Sequence, residues 1–264
     1  MRQLIAFTGK EFMELIRTGK LIILMLLFLF FGVMNPAVAK MTPWLMEMMS
    51  ESLGDAGLTV TEVEVDAMTS WTQFYKNIPI ALIIFLLLFS GILTVEYQKG
   101  TLVNMITKGM ARWGIIASKA IAMLVLWTAG YWMCYGITYA YNAYFWDNGI
   151  ASHVFFSAAC FYLLGIWLVS LILLMSVFFQ SGSAAVTASG IVFLLIYLLG
   201  LFPDIKEYLP VRLLSSSGLL TGMEELSEYL LAVLVTIVLS AMNLAAAVIG
   251  FNKSCLLYTS PSPR

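Results

Sequence analysis

Six long apolar runs, near residues 21–39, 78–95, 115–140, 154–179, 184–202 and 229–250, constrain this chain more than any other feature. A bilayer core takes about 20 mostly apolar residues per helix, and each run is about that long. Backbone groups find no water in hydrocarbon, so the runs are expected to be helices whose hydrogen bonds close within each segment. The expected fold is an all-α membrane protein with six transmembrane helices, residues 1–254 forming one transmembrane domain. Composition agrees: 61% of the 264 residues are hydrophobic and 11% charged, far from the composition of a soluble domain.

Basic residues set the orientation. With the N-terminus inside, the inner segments carry Arg2, Lys10, Arg17, Lys20, Lys99, Lys108, Arg112, Lys119 and Lys253, and the outer ones Lys40, Lys76, Lys206 and Arg212. This follows the positive-inside rule and places both termini in the cytoplasm. Ala37-Val38-Ala39 is similar to a signal-peptide cleavage site, but the leader before it is long and holds Glu11 and Glu14, so the first run is read as a span. The cysteines, Cys134, Cys160 and Cys255, form neither a disulfide framework nor a metal-ligand spacing. Residues 255–264, CLLYTSPSPR, look like a translated sequencing-library adaptor and are expected to be an artefact rather than the natural C-terminus.

Residues 1–20 are predicted to form an amphipathic helix lying on the inner membrane surface. At 100° per residue Leu4, Ile5, Phe12, Leu15 and Ile16 share one arc, with Lys10, Glu14 and Arg17 opposite. Asn35-Pro36 predicts a kink or early end to the first span, because proline removes a backbone donor. Residues 40–77, with six acids and two lysines, then read as a polar external segment. Tyr141, Tyr144, Phe145 and Trp146 are read as an interfacial aromatic belt. Tyr131, Tyr135 and Tyr139 form a stripe expected to pack between helices, and His153 stands alone at a span boundary. The pairs Ala184/Ala188, Ala185/Ser189, Ala241/Ala245 and Ala246/Gly250 have the small-xxx-small spacing of closely packed helices. The segment LPVRLLSSSGLL at 209–220 is too apolar for a free loop and too short to span, so it is read as a re-entrant or interfacial hairpin covered by protein.

The stretch EYQKGTLVNMITKGMARW, residues 96–113, gathers charges between two spans. Gly100 breaks the chain, Thr101 is placed to cap, and Gly109 suits the position after a helix end, giving a short helix over 102–108. Leu102 and Ile106 fall on its apolar arc; Asn104 and Lys108 fall on its polar one. The order Glu96, Gly100-Thr101-Leu102, Arg112-Trp113, Lys119 resembles that of ABC-2 type permeases, the membrane subunits of bacterial ATP-binding-cassette transporters. The layout of entry helix, long first external segment, six spans and broken hairpin before the last span resembles theirs too. Such permeases often carry proline where this chain reads Lys108-Gly109-Met110.

The resemblance implies a type V exporter-like half-transporter, in which two permeases, identical or sister chains, pair in the bacterial plasma membrane above separate cytosolic ATPases. It implies an ATPase-coupling surface made of Glu96, Gly100, Thr101, Lys108 and Arg112, with Lys10, Glu11, Glu14 and Arg17 beside it. No catalytic residue, metal ligand or substrate site is assigned. Without a Walker A sequence the chain is expected not to be an enzyme. ATP and magnesium belong to the partner, and the remaining partner is the lipid bilayer rather than a nucleic acid. Movement of substrate would follow alternating access, with export a family-level expectation. The rivals are an ion-coupled secondary transporter, disfavoured because no acid or base falls in the middle of a span, a membrane-embedded enzyme, disfavoured by a single histidine, and a non-transporting structural or receptor subunit.

Overall fold

The computed structural model describes residues 2–54, 65–107 and 109–254. The elements are α1 (Arg2–Arg17), α2 (Lys20–Gly54), α3 (Ala67–Phe89), α4 (Thr94–Gln98), α5 (Thr101–Thr107), α6 (Arg112–Phe145), α7 (Val154–Phe178), α8 (Gly182–Leu199), α9 (Pro203–Lys206) and α10 (Ser227–Ser254). Two 3₁₀ helices, Asn148–Ile150 and Pro210–Thr221, lie between them. There are no strands among the described residues, and six helices are long and apolar enough to cross a membrane. The segment 255–264, expected to be a translated adaptor, lies outside the described residues.

The first span does not end at Pro36. Helix α2 runs through Pro36 and Pro43 to Gly54. Proline at 36 leaves the carbonyl of residue 32 without its helical donor, and the Thr138 hydroxyl of α6 donates to Gly32 O at 3.1 Å. Asn35 Nδ2 donates to Thr138 Oγ1 at 3.2 Å and Asn77 Nδ2 to Asn35 Oδ1 at 2.9 Å, tying α2, α6 and α3 together. At 1.5 Å per residue α2 is about 52 Å long, against a hydrocarbon core of about 30 Å. Much of the expected external segment 40–77 is thus helical projection: α2 reaches Gly54 and α3 starts at Ala67, where Asp66 caps it by accepting from Thr69 N at 3.0 Å.

The core is aromatic. Trp127 is fully buried and lies 5.8, 5.6 and 5.3 Å from the ring centroids of Phe28, Phe85 and Tyr131. Such pairs contribute about 0.5–1.5 kcal/mol each beyond area burial. Glycines let the rings in: an added Cβ on Gly165 would sit 2.2 Å from Trp127, and one on Gly130 would sit 2.3 Å from Phe28. Tyr131 packs between helices as expected, its hydroxyl donating to Ala158 O at 2.7 Å. Tyr139 is half exposed at the end of the stripe.

Helix α7 is the hub, packed on α10, α6, α8 and the 3₁₀ helix Pro210–Thr221. Of the small-residue pairs, Ala185 and Ser189 are buried, and Gly250 faces Phe178 and Val177. Ala241, Ala245 and Ala246 are exposed on the outer face of α10. The segment expected to be a covered hairpin is that twelve-residue 3₁₀ helix, a long run for this geometry. Neighbouring helices satisfy its irregular backbone: Ser157 donates to Ser216 O at 2.6 Å, Tyr229 to Ser215 O at 2.9 Å, and Ser152 N to Leu220 O at 3.0 Å. Arg212 clamps it by pairing with Glu228 at 2.7 Å and Glu224 at 3.4 Å.

Candidate functional site

Where α1 crosses the base of α6, four charges form a closed square. Lys10 Nζ lies 3.2 Å from Glu11 Oε1 and 2.9 Å from Glu96 Oε1. Lys119 Nζ lies 3.1 Å from Glu11 Oε2 and 2.8 Å from Glu96 Oε2. Each carboxylate thus gives one oxygen to each ammonium. The Lys119–Glu96 contact is short but off the hydrogen-bonding direction, so it acts as an ion pair. Three separate elements meet here: α1 supplies Lys10 and Glu11, α4 supplies Glu96, and α6 supplies Lys119.

The square is graded in depth. Lys119 is 1% exposed, Glu11 4% and Glu96 7%, while Lys10 is half-exposed. Burying charge costs several kcal/mol per ion unless the geometry is good, and here alternation of sign makes the inner four groups neutral. Glu14, half exposed, adds a third carboxylate to Lys10 at 3.2 Å. Glu11, Glu14 and Glu96 approach one another closely enough to hold a metal ion, but the Lys10 ammonium already contacts all three. Burial alone would lower the Lys10 pKa; its hydrogen bond to Glu96 and the charges of Glu11 and Glu96 outweigh it and hold the ammonium well above the ordinary lysine value. Lys10 therefore remains charged throughout the physiological range.

Local sequence explains how the groups arrive. On α1 the inward side holds Phe7, Glu11 and Leu15, all buried against α6, while Ile5, Met13 and Ile16 are exposed. The helix thus has two apolar sides, and Glu11 sits within the packed one rather than on the open polar arc. Below α3 the chain turns at Ser90 and Gly91, and α4 carries Glu96 toward α6. Gly100, with φ +67°, makes the next break. Thr101 is the first residue of α5 rather than its cap; its hydroxyl faces Glu96 O at 3.4 Å. The left-handed glycine makes the break by itself, leaving threonine helical. Gly109, with φ +85°, follows α5 as expected, and Leu102 is buried. Lys108 and the Asn104 side chain lie outside the described residues.

The residues expected to form one surface therefore divide. Glu11 and Glu96 point inward and are locked to Lys119. Lys10 forms the boundary, and Glu14 and Arg17 are exposed. Arg112 Nη1 donates to Asn252 O at 2.9 Å, joining the start of α6 to the end of α10. Gln98 Nε2 donates to Gln180 O at 3.1 Å, joining α4 to the turn before α8. Lys119 was expected only as a basic residue leading into the third span. It is instead the buried centre of the site. The signal available was its position within the apolar run 115–140, since an ionisable residue inside a span is rarely left without a function or a partner.

These features define an all-α polytopic membrane protein whose base is organised by buried ion pairs joining an entry helix to the second and third spans. The family model described as ABC-2 family transporter protein matches residues 5–209, so the chain belongs to the ABC-2 family and is a transporter permease. No curated protein matches it. The matched range takes in most of α1, the charged square and five of the six spans.

Proposed function

We propose that this chain is the permease subunit of an ATP-binding-cassette exporter in the bacterial plasma membrane. Both termini face the cytoplasm, and two such subunits, identical or sister chains, pair across the transport path. A separate cytosolic ATPase binds ATP and magnesium and docks against the exposed edge of the base, formed by Glu14, Arg17, the outer side of Lys10 and helix α5. The observation that carries this reading is the charged square. An element pushed at α1, or at α4 through the adjoining α5, cannot move independently of α6, because Lys119 holds Glu11 and Glu96 together at 3.1 and 2.8 Å. Closure of the ATPase pair would therefore tilt α3 and α6 as a unit and open the path between permeases alternately to either side.

A docking test leaves the square intact. Glu14→Lys and Arg17→Glu reverse two exposed charges, and giving up the exposed Lys10–Glu14 ion pair costs the fold about 0.2–1 kcal/mol. The tagged wild-type permease, extracted from native membranes, is expected to be retained on immobilised ATP through its partner and released by free ATP. The double variant should lose at least tenfold of that retention while eluting as wild type in size exclusion. Equal retention of the two proteins, or none of the wild type, contradicts the reading.

A further inference from the structure

A second site lies at the opposite end of the bundle. A cavity of about 640 Å³ opens beside the turn between α6 and α7, with walls formed by Tyr135, Tyr139, Trp146 and Phe155 and a single acidic residue, Asp147, at its mouth. An ordinary aromatic belt places rings one by one at the headgroup level. Here four rings converge on one space. We propose that this cavity binds a quaternary ammonium cation, carried either by a lipid headgroup or by a free organic solute.

The chemistry favours that class. Rings with a negative face attract a cation within about 6 Å of the ring centroid, tryptophan most strongly, and such cages are suited to quaternary ammonium groups. Nearby on the same aromatic segment Lys40 Nζ already sits 3.7 Å over the Phe145 ring. Asp147 makes no ion pair among the described residues, and its Oδ1 is fixed by accepting from Gly149 N at 2.9 Å. It supplies charge without a ring of further acceptors. A primary ammonium would forfeit hydrogen bonds to water in such walls; a quaternary one has none to lose.

The walls are held in place before any ligand arrives. Tyr135 lies 5.4 Å from Trp71 and 6.0 Å from Tyr139, and Phe155 stacks on Trp132 at 5.3 Å. Asn148 links the layers, donating to Tyr139 O at 3.2 Å and accepting from Trp71 Nε1 at 3.3 Å. His153, the one non-glycine residue with a left-handed backbone among the described residues, turns the chain so that Val154 and Phe155 face the cavity. Preorganisation of this kind lowers the ordering cost of binding. The site stands apart from the charged square and does not depend on ATPase coupling.

Saturation-transfer NMR with choline on the full chain in phosphatidylglycerol nanodiscs tests the proposal. The trimethylammonium signal is expected to be saturable, displaced by tetramethylammonium, and at least fivefold stronger than that of 3,3-dimethylbutanol, the neutral isostere. Asp147→Asn and Tyr139→Ala, both at exposed positions, should each reduce it at least fivefold. A weaker choline signal in nanodiscs containing phosphatidylcholine assigns the site to a headgroup, and an unchanged one assigns it to a free cation. Equal signals from choline and its isostere, or variants that bind choline like wild type, overturn the proposal.

Discussion

Replacing Lys119 by methionine is expected to be the most damaging single change at the base of the molecule. The side chain is nearly isosteric along its stem, so the loss is that of the ammonium. Glu11 and Glu96 would then face each other at 4% and 7% exposure with only the half-exposed Lys10 between them. Removing one partner from a buried ion pair costs about 3–5 kcal/mol, because the remaining charge stays desolvated. The midpoint of thermal unfolding in detergent should fall by roughly 10 °C. Adding Glu96→Gln to Lys119→Met removes the stranded carboxylate, so the double variant should recover part of the loss, giving a coupling energy of about 0.5–3 kcal/mol in a double-mutant cycle. Additive effects of the two changes would mean that the 2.8 Å contact carries no interaction energy.

The second large effect lies in the core. Gly165→Ala places a methyl 2.2 Å from the Trp127 ring. The ring has nowhere to retreat, since Phe28, Phe85 and Tyr131 enclose it and its Nε1 donates to Tyr162 O at 3.1 Å. Overpacking of this kind costs about 1–3 kcal/mol, and the α6–α7 interface should open accordingly. Gly136→Ala on the same aromatic helix is the control. Nothing lies within 4 Å of its added Cβ, and alanine is preferred in a helix interior by about 1 kcal/mol. The two variants should therefore shift the unfolding midpoint in opposite directions.

What could be read from the chain alone divides along the same physical line. Spans were legible because their signal is local: an apolar run of sufficient length has one outcome in hydrocarbon. The breaks at Gly100 and Gly109 were legible for the same reason, and both have left-handed backbones. The course of α2 through Pro36 was not, because the donor that rescues Gly32 O is Thr138, 106 residues away. Glu11 was partly legible. It lies 40° from Leu15 on the helical wheel, so its place beside the packed side was available, whereas its pairing with a lysine 108 residues away was not. Lys119 was obscured by an ordinary alternative, since a lysine near a span end commonly extends its head to the interface. Only the meeting of α1, α4 and α6 turns it inward. The outer cavity was hidden similarly. Its tyrosines and tryptophan were visible as a stripe and a belt, but their convergence depends on the fold of the turn 146–153.

In the proposed coupling, the charged square transmits motion from the ATPase side of the base into the spans. A spin label at Tyr144, exposed near the outer end of α6, reports that motion directly as the distance between the two permeases of a pair by pulsed electron spin resonance, without knowledge of the cargo. In the complete complex carrying Glu11→Gln and Lys119→Met, the ATPase should remain bound, yet the ATP-dependent change in distance expected of wild type should disappear. An unchanged ATP-driven distance shift in that variant would contradict the account.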